Sequence, residues 1–198
     1  YNIDSEIQTI ISCHWDTRPW SDSEPNRKDR NQPIIGANDG GSGVAVLLEL
    51  AKIMGENPPP IGVNLVFFDG EDMGIPGEVE TFCQGSRFFA KNLPIPKPKE
   101  AINLDMVADK QLHLPVEKYS LEYHPDLVRY LWKRADEMGL HLTLLLKMQS
   151  TMTMCHFINM LEFQLSTLLI SNTQILMPIF GIQWMTFLKT AALRALGR

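Results

Sequence analysis

The chain has 198 residues, 44% of them hydrophobic and 21% charged, with a formal net charge of −5. That length and composition fit one globular domain with a buried core, and the acidic balance disfavours a nucleic-acid or anionic-membrane partner. Three cysteines, Cys13, Cys83 and Cys155, follow no regular spacing, which excludes both a disulfide framework and a zinc knuckle.

Tyr1 is not an initiator methionine, so the sequence reads as an excised piece, compatible with a targeting segment ahead of it. Thr9-Ile10-Ile11-Ser12-Cys13 is a β-prone run ending at His14-Trp15-Asp16. Arg18 to Gln32 is polar, with Pro19, Pro25 and alternating charges, and predicts a surface loop long enough to hint at function. Next comes Ile35-Gly36-Ala37-Asn38-Asp39-Gly40-Gly41-Ser42-Gly43, one carboxylate among four glycines and a serine. Val44, Leu47, Leu48, Ala51 and Met54 then recur at helical spacing. Asp39 is therefore placed in a tight loop at a helix N-terminus, with Ser42 or Asn38 as the cap. Pro58-Pro59-Pro60 stops that helix.

Val63 to Phe68 predicts a strand, and Asp69 to Gly74 the turn at its end. A Gly- and Glu-rich loop leads to Cys83, Ser86 to Lys91 begins a helix, and Pro94, Pro96 and Pro98 form a linker. Ala101-Ile102-Asn103-Leu104 is another strand, ending at Asp105. Pro125 to Met138 is amphipathic, with Leu127, Tyr130, Leu131 and Ala135 on one face and Gly139 as its stop. His141 to Leu146 reads as a strand again. This alternation predicts an α/β fold with a mostly parallel sheet.

Three strand ends thus carry acid or histidine: His14 and Asp16, Glu71 and Asp72, and Asp105, with Asp39 expected after a further one. Each has a structural reading by itself: His14 a satisfied core histidine, Glu71-Asp72 a solvated acidic turn, Asp105 a helix cap, Asp39 an Asx-type turn. Ligands of open α/β sheets bind at the carboxyl ends of the strands. Carboxylates gathered there repel one another unless a cation neutralises them. Imidazole mixed with carboxylate suits zinc or a similar divalent metal.

His14-Trp15-Asp16, Ala37 to Gly43, Phe67-Phe68-Asp69-Gly70-Glu71-Asp72, Gly85-Ser86-Arg87 and Asn103-Leu104-Asp105-Met106 resemble the M28 zinc peptidase family. Within it they are most similar to the branch of animal-type glutaminyl cyclases and their bacterial relatives. The match runs from about Thr9 to Leu146 with five motifs in order. The resemblance implies a single α/β domain, with a central, mostly parallel mixed β-sheet flanked by helices in the manner of the zinc exopeptidases. It also implies roles. Asp39 matches the metal ligand common to both family activities. Asp72 matches the second carboxylate ligand, where many members have glutamate, and Glu71 the general acid/base. His14 and Asp105 match ligands of the second metal in the aminopeptidases. In the cyclases those two positions hold no zinc, and Asp105 steers substrate protons. Asp16 matches the carboxylate that orients His14.

The implied cofactor is zinc, one ion in a cyclase and two in an aminopeptidase, and the implied partner is a peptide or protein N-terminus. A secreted or periplasmic location goes with the family. Two chemistries follow. In an aminopeptidase Glu71 takes a proton from the attacking water. In a cyclase the substrate's own N-terminal amine attacks its glutamine side-chain amide, and Glu71 passes the proton to the leaving ammonia. Glutaminyl-peptide cyclotransferase is the expected activity, aminopeptidase the first alternative.

The family pattern also needs a histidine in a Trp-His-Thr-x-Asp-Asp motif and an Asp-Asp-His motif before it, and neither is present. An inactive relative is therefore a third reading. From Thr151 the character changes: five of the ten methionines fall between Met148 and Met177, and Phe163 to Leu188 has no charge. Gln164, Ser166, Ser171, Asn172, Thr173, Gln174 and Gln183 argue against a membrane span. Reading each codon's third base with the next codon's first two gives another account. Met152-Thr153 must then encode Asp, and its neighbours permit Asp-Asp-His. Phe180 to Thr186 permits Trp-His-Thr-Met-Asp-Asp, the last two Asp being forced by Trp184, Met185 and Thr186. The expected organisation is therefore a catalytic domain over residues 1–150, a frame-shifted remainder of it over 151–190, and its C-terminal helix over 191–198.

Overall fold

The computed structural model describes residues 1–108, 114–139, 146–147 and 166–171. β1 spans Gln8–His14 and is buried at every position, as a strand covered on both faces must be. α1 spans Gly41–Glu56 and β2 Gly62–Phe68. A single 3-10 turn, Val79–Thr81, precedes α2, Gln84–Lys91. β3 is Glu100–Asp105, β4 Val116–Glu117, α3 Lys118–Tyr123 and α4 Pro125–Glu137. β5 is Leu146–Lys147 and β6 Ser166–Ser171.

The strand order is β2-β1-β3-β6, with β4 and β5 forming a separate pair. Every described pairing is parallel. Parallel neighbours need a long crossover, and α1 supplies the one between β1 and β2. The fold is α/β, as the alternation of strand and helix predicts.

α1 lays Val46, Leu47, Leu50 and Met54 on the sheet, and α4 adds Leu127, Val128, Leu131, Trp132 and Ala135. Between them lie Ile11, Val63, Ile102 and Leu104. Each such aliphatic contributes ~1.5–3 kcal/mol relative to exposure. The buried stripe of α1 differs from the expected one: Leu48 is 59% exposed. The cause is Gly43. A Cβ there would fall 2.5 Å from Cys13 Cβ and 2.9 Å from the Leu104 carbonyl oxygen. That contact turns the face of Gly43, Val46, Leu47, Leu50 and Met54 to the sheet.

The expected cap is also corrected. Gly40 is the N-cap of α1, and no side chain caps it. α4 ends as expected, with Gly139 at φ +75° beyond it. α3 has no counterpart in the sequence reading. It starts because the Glu117 carboxylate accepts the Tyr119 and Ser120 amides at 2.9 and 2.7 Å.

Of the expected strand His141 to Leu146, residues 140–145 lie outside the described residues and Leu146 belongs to β5. The 191–198 helix and most of the 151–190 stretch also lie outside. Within that stretch, β6 pairs with β3 along all six of its residues, from Glu100↔Ser166 to Asp105↔Ser171. Among the described residues no helix is long and apolar enough to cross a membrane.

Candidate metal centre

Strands running in parallel place their carboxyl ends along one edge, so consecutive strand–loop junctions become neighbours in space. β1 ends at His14 and β3 at Asp105. Thr9↔Glu100 through Ser12↔Asn103 fix the register of the two strands. The same offset carries on to His14 and Asp105, whose Nε2 and Oδ1 lie 3.3 Å apart. Both side chains are buried, at 3% exposure.

Asp39 does not follow a strand, contrary to expectation. It sits in the loop entering α1, shaped by Gly36 at φ +68° and Gly40 at φ +82°. Side-chain-bearing residues resist those values. The Gly41 amide donates to the Gly36 carbonyl at 2.9 Å. Asn38 and Ser42 tie this loop to the chain leaving β3. Asn38 Oδ1 accepts the Ala108 amide at 2.9 Å, and Ser42 Oγ accepts the Val107 amide at 3.0 Å. Asp39 Oδ1 is thereby held 3.1 Å from His14 Nε2.

Glu71 and Asp72 stand in the turn after β2. Asp16 holds them: its Oδ1 accepts the Glu71 amide at 3.1 Å and its Oδ2 the Asp72 amide at 2.9 Å. Asp16 Oδ1 also lies 3.7 Å from His14 Nδ1, on the side of the ring away from Asp39 and Asp105. All six residues of the sequence-derived set are therefore brought to one place.

Among the described residues the candidate ligand atoms form two triads around one histidine. His14, Asp39 and Asp105 offer atoms within 4.8 Å of one another, and so do His14, Glu71 and Asp72. The expected sharing differs here, since Asp39 and Asp72 fall in different triads. Buried Glu71 Oε2 and Asp72 Oδ2 have no hydrogen-bond partner, and Asp39 Oδ1 faces only the His14 ring, at 3.1 Å. Orphaned buried polar atoms are costly unless something absent from the protein completes them. A divalent cation fits, because the unpaired Glu71 and Asp72 atoms are carboxylate oxygens, which offer lone pairs and negative charge. Cys13 is no ligand candidate. It is free and wholly buried behind the centre, and burial pushes its thiol up to about 12.

The charges respond as such crowding demands. Burial raises Glu71 well above the usual carboxylate range, and the Asp105 and Asp72 charges push it further. Burial and the Asp39 charge push Asp72 up to about 6. For His14, burial opposes the charged ring, but hydrogen bonds to Asp105, Asp16 and Asp39 outweigh it and hold its pKa high. For Asp16 burial is likewise outweighed, by His14 and the two backbone amides, and its pKa is lowered. The centre thus contains acids that resist ionising together unless positive charge arrives.

Arg18, Asn38 and Ser42 support this arrangement without belonging to the expected site. The polar types at 38 and 42 gave only a capping signal, and Arg18 only marked the start of the polar loop that runs to Gln32. What they do depends on loops that meet far apart in sequence.

Residues 3–155 match peptidase family M28. The fold is shared with a leucine aminopeptidase precursor from Bacteroides thetaiotaomicron at 30% identity and a TM-score of 0.79. That alignment covers 94% of this chain and 66% of the other, so this chain spans slightly under two thirds of that relative's length. A glutaminyl cyclase from Porphyromonas gingivalis is 28% identical over 99% of this chain and 74% of its own, with a TM-score of 0.84. A Zn-dependent exopeptidase from Parabacteroides distasonis is also 28% identical, over 99% and 73% of the two chains, with a TM-score of 0.79. The family match spans the stretch from β1 to β5, every residue of the centre included: this chain belongs to peptidase family M28.

Proposed function

We propose that the chain is a zinc-dependent enzyme acting on peptide N-termini, of the glutaminyl-peptide cyclotransferase kind. The observation that carries this is the pair of triads on His14, in which buried Glu71 and Asp72 oxygens lack partners. His14 and Asp105 would hold an ion only in an aminopeptidase, and in this reading Asp39 and Asp72 are the residues that would hold zinc. Bound there, zinc supplies a Lewis acid that polarises the amide under attack.

The protein's own part is proton handling. Glu71 Oε2 is buried and unpartnered, and burial raises its pKa well above the usual carboxylate range, which suits a group that takes and returns a proton. Glu71 removes the proton from the substrate's N-terminal amine as its nitrogen bonds to the glutamine side-chain carbonyl carbon. It then gives the proton to the departing ammonia, closing the pyroglutamate ring. Asp105 orients the amine protons, and Asp16 fixes the Glu71 backbone through its amide.

Aminopeptidase activity is the second reading, favoured by the His14, Asp39 and Asp105 triad. That triad needs no residue outside the described stretch. An inactive relative is the third, motivated by the missing C-terminal histidine. Assays for pyroglutamate formation and aminoacyl-anilide hydrolysis, with metal analysis, separate the three. Pyroglutamate with one zinc per chain supports the first reading, hydrolysis with two the second, neither activity the third.

A further inference from the structure

Arg18 lies outside both triads, yet its contacts converge on the turn that carries one of them. Its guanidinium is forked onto Asp22: Nε donates to Oδ1 at 3.1 Å and Nη2 donates to Oδ2. Nη1 donates to the backbone carbonyls of Asp72 and Gly74, both at 2.6 Å. The Phe82 ring centre lies 5.7 Å from Cζ. Phe82 in turn packs so tightly on Gly74 that a Cβ there would fall 2.1 Å from the ring. The side chain is only 15% exposed.

Asp72 is therefore gripped from both sides of its own backbone. Its N–H is taken by the Asp16 carboxylate and its C=O by the Arg18 guanidinium. The two gripping residues stand two apart on the segment that leaves β1. The segment also seats the Asp39 loop. A Cβ on Gly40 would fall 2.4 Å from the Asp16 carbonyl oxygen, and one on Gly36 2.7 Å from Thr17. One short stretch thus sets where both ligand-bearing loops lie.

We propose that Arg18, locked by Asp22, is a positioning residue that fixes the Glu71–Asp72 turn against the end of β1 and so prepares Asp72 to bind metal. The inference rests on the zinc reading above. A guanidinium is planar and its donors diverge at fixed angles. Once Asp22 occupies the Nε–Nη2 edge, Nη1 can point only at the two carbonyls. Charge assistance strengthens each bond. A lysine keeps the charge but has no fork, so it cannot hold Asp22 and both carbonyls in one geometry. A ligand already held in place gives up less freedom when metal arrives, and loss of such supporting contacts typically lowers metal affinity by about 10–100-fold.

The test is zinc titration of the whole chain, by competition with a chromophoric chelator, beside amide hydrogen exchange without metal. Arg18→Met is expected to raise the zinc Kd about tenfold or more, and Arg18→Lys to raise it less. Amide exchange at Glu71 and Asp72 quickens in Arg18→Met even without zinc. Arg30→Met is the control for the loop. Arg30 Nε donates to the Glu24 carbonyl at 2.6 Å, and its loss leaves both readouts unchanged. Unaltered zinc affinity and exchange in Arg18→Met overturn the proposal, as does an equal effect of Arg30→Met. If the unaltered chain takes no zinc, the metal reading falls, and exchange at Glu71 and Asp72 alone decides whether Arg18 fixes the turn.

Discussion

His14 Nε2 and Asp105 Oδ1 meet at 3.3 Å across 91 residues of sequence. Two residues earlier, at the same offset, Ser12 Oγ donates to Asn103 Oδ1 at 2.7 Å. The register of β1 on β3 is thus written twice in polar side chains on one face. A slip of one residue would turn His14 and Asp105 to opposite faces. The centre depends on sheet register before it depends on any loop.

Glu71→Gln removes a proton acceptor from the centre while Asp39, Asp72, His14 and Asp105 remain. In a chain with the 151–190 frame restored, turnover is expected to fall by about 100-fold or more, with zinc content unchanged. Steady-state rates together with metal analysis check this. A near-normal rate would remove Glu71 from the acid/base role.

Gly40→Ala adds a side chain where φ is +82° and the new Cβ would lie 2.4 Å from the Asp16 carbonyl oxygen. Backbone atoms on both sides leave little room to yield. The expected cost is on the order of 1–3 kcal/mol from the strained backbone alone, with weaker zinc binding because Asp39 is displaced. Chemical denaturation and zinc titration measure the two effects. Gly55→Ala is the control, since a Cβ there has nothing within 4 Å.

The pH response follows from the raised acids. Asp72 moves from 3.8 to about 6 on folding, and Glu71 shifts in the same direction. Between those values these two acids hold more protons in the folded chain than in the unfolded one, so their contribution to stability falls as pH rises from about 4 through 6. Zinc prefers the ionised carboxylates, so its affinity climbs over the same interval. Thermal melts with and without zinc across this range should show opposite slopes. A zinc-free chain that grows more stable from pH 4 to 6 would contradict the assignment.

We propose that residues 151–190 are frame-shifted; restoring the frame permits the histidine that the family resemblance implies. The restored chain is expected to melt higher, to bind zinc more tightly and to turn over substrate, where the sequence as given shows little or no turnover. Parallel melts and assays of the two chains with added zinc decide it. Equal stability and activity would overturn the frame-shift reading.

The sequence showed the site more clearly than the packing around it. His14, Glu71, Asp72 and Asp105 were visible because parallel strands deliver their ends to one edge, a consequence of period and order alone. The Asp39 loop was visible through its glycines, although its setting was misread: it enters a helix and follows no strand. The buried face of α1 was not legible. Leu47 and Leu48 are equally apolar, and only the fit of Gly43 onto Cys13 and Leu104 decides between them. Arg18 was not legible either, because its partners Asp72, Gly74 and Phe82 lie more than fifty residues away. Its role exists only after two loops have met.

The uniformly parallel pairing has a kinetic consequence. Each such pairing joins strands that are distant along the chain, which places this half of the molecule among slow, high-contact-order folders. His14 is synthesised about ninety residues before Asp105, and it lacks that partner until β3 docks beside β1. The His14, Asp39 and Asp105 triad therefore does not exist to nucleate folding before β3 docks. Zinc should accordingly slow unfolding while leaving the folding rate almost untouched, the signature of contacts absent from the transition state.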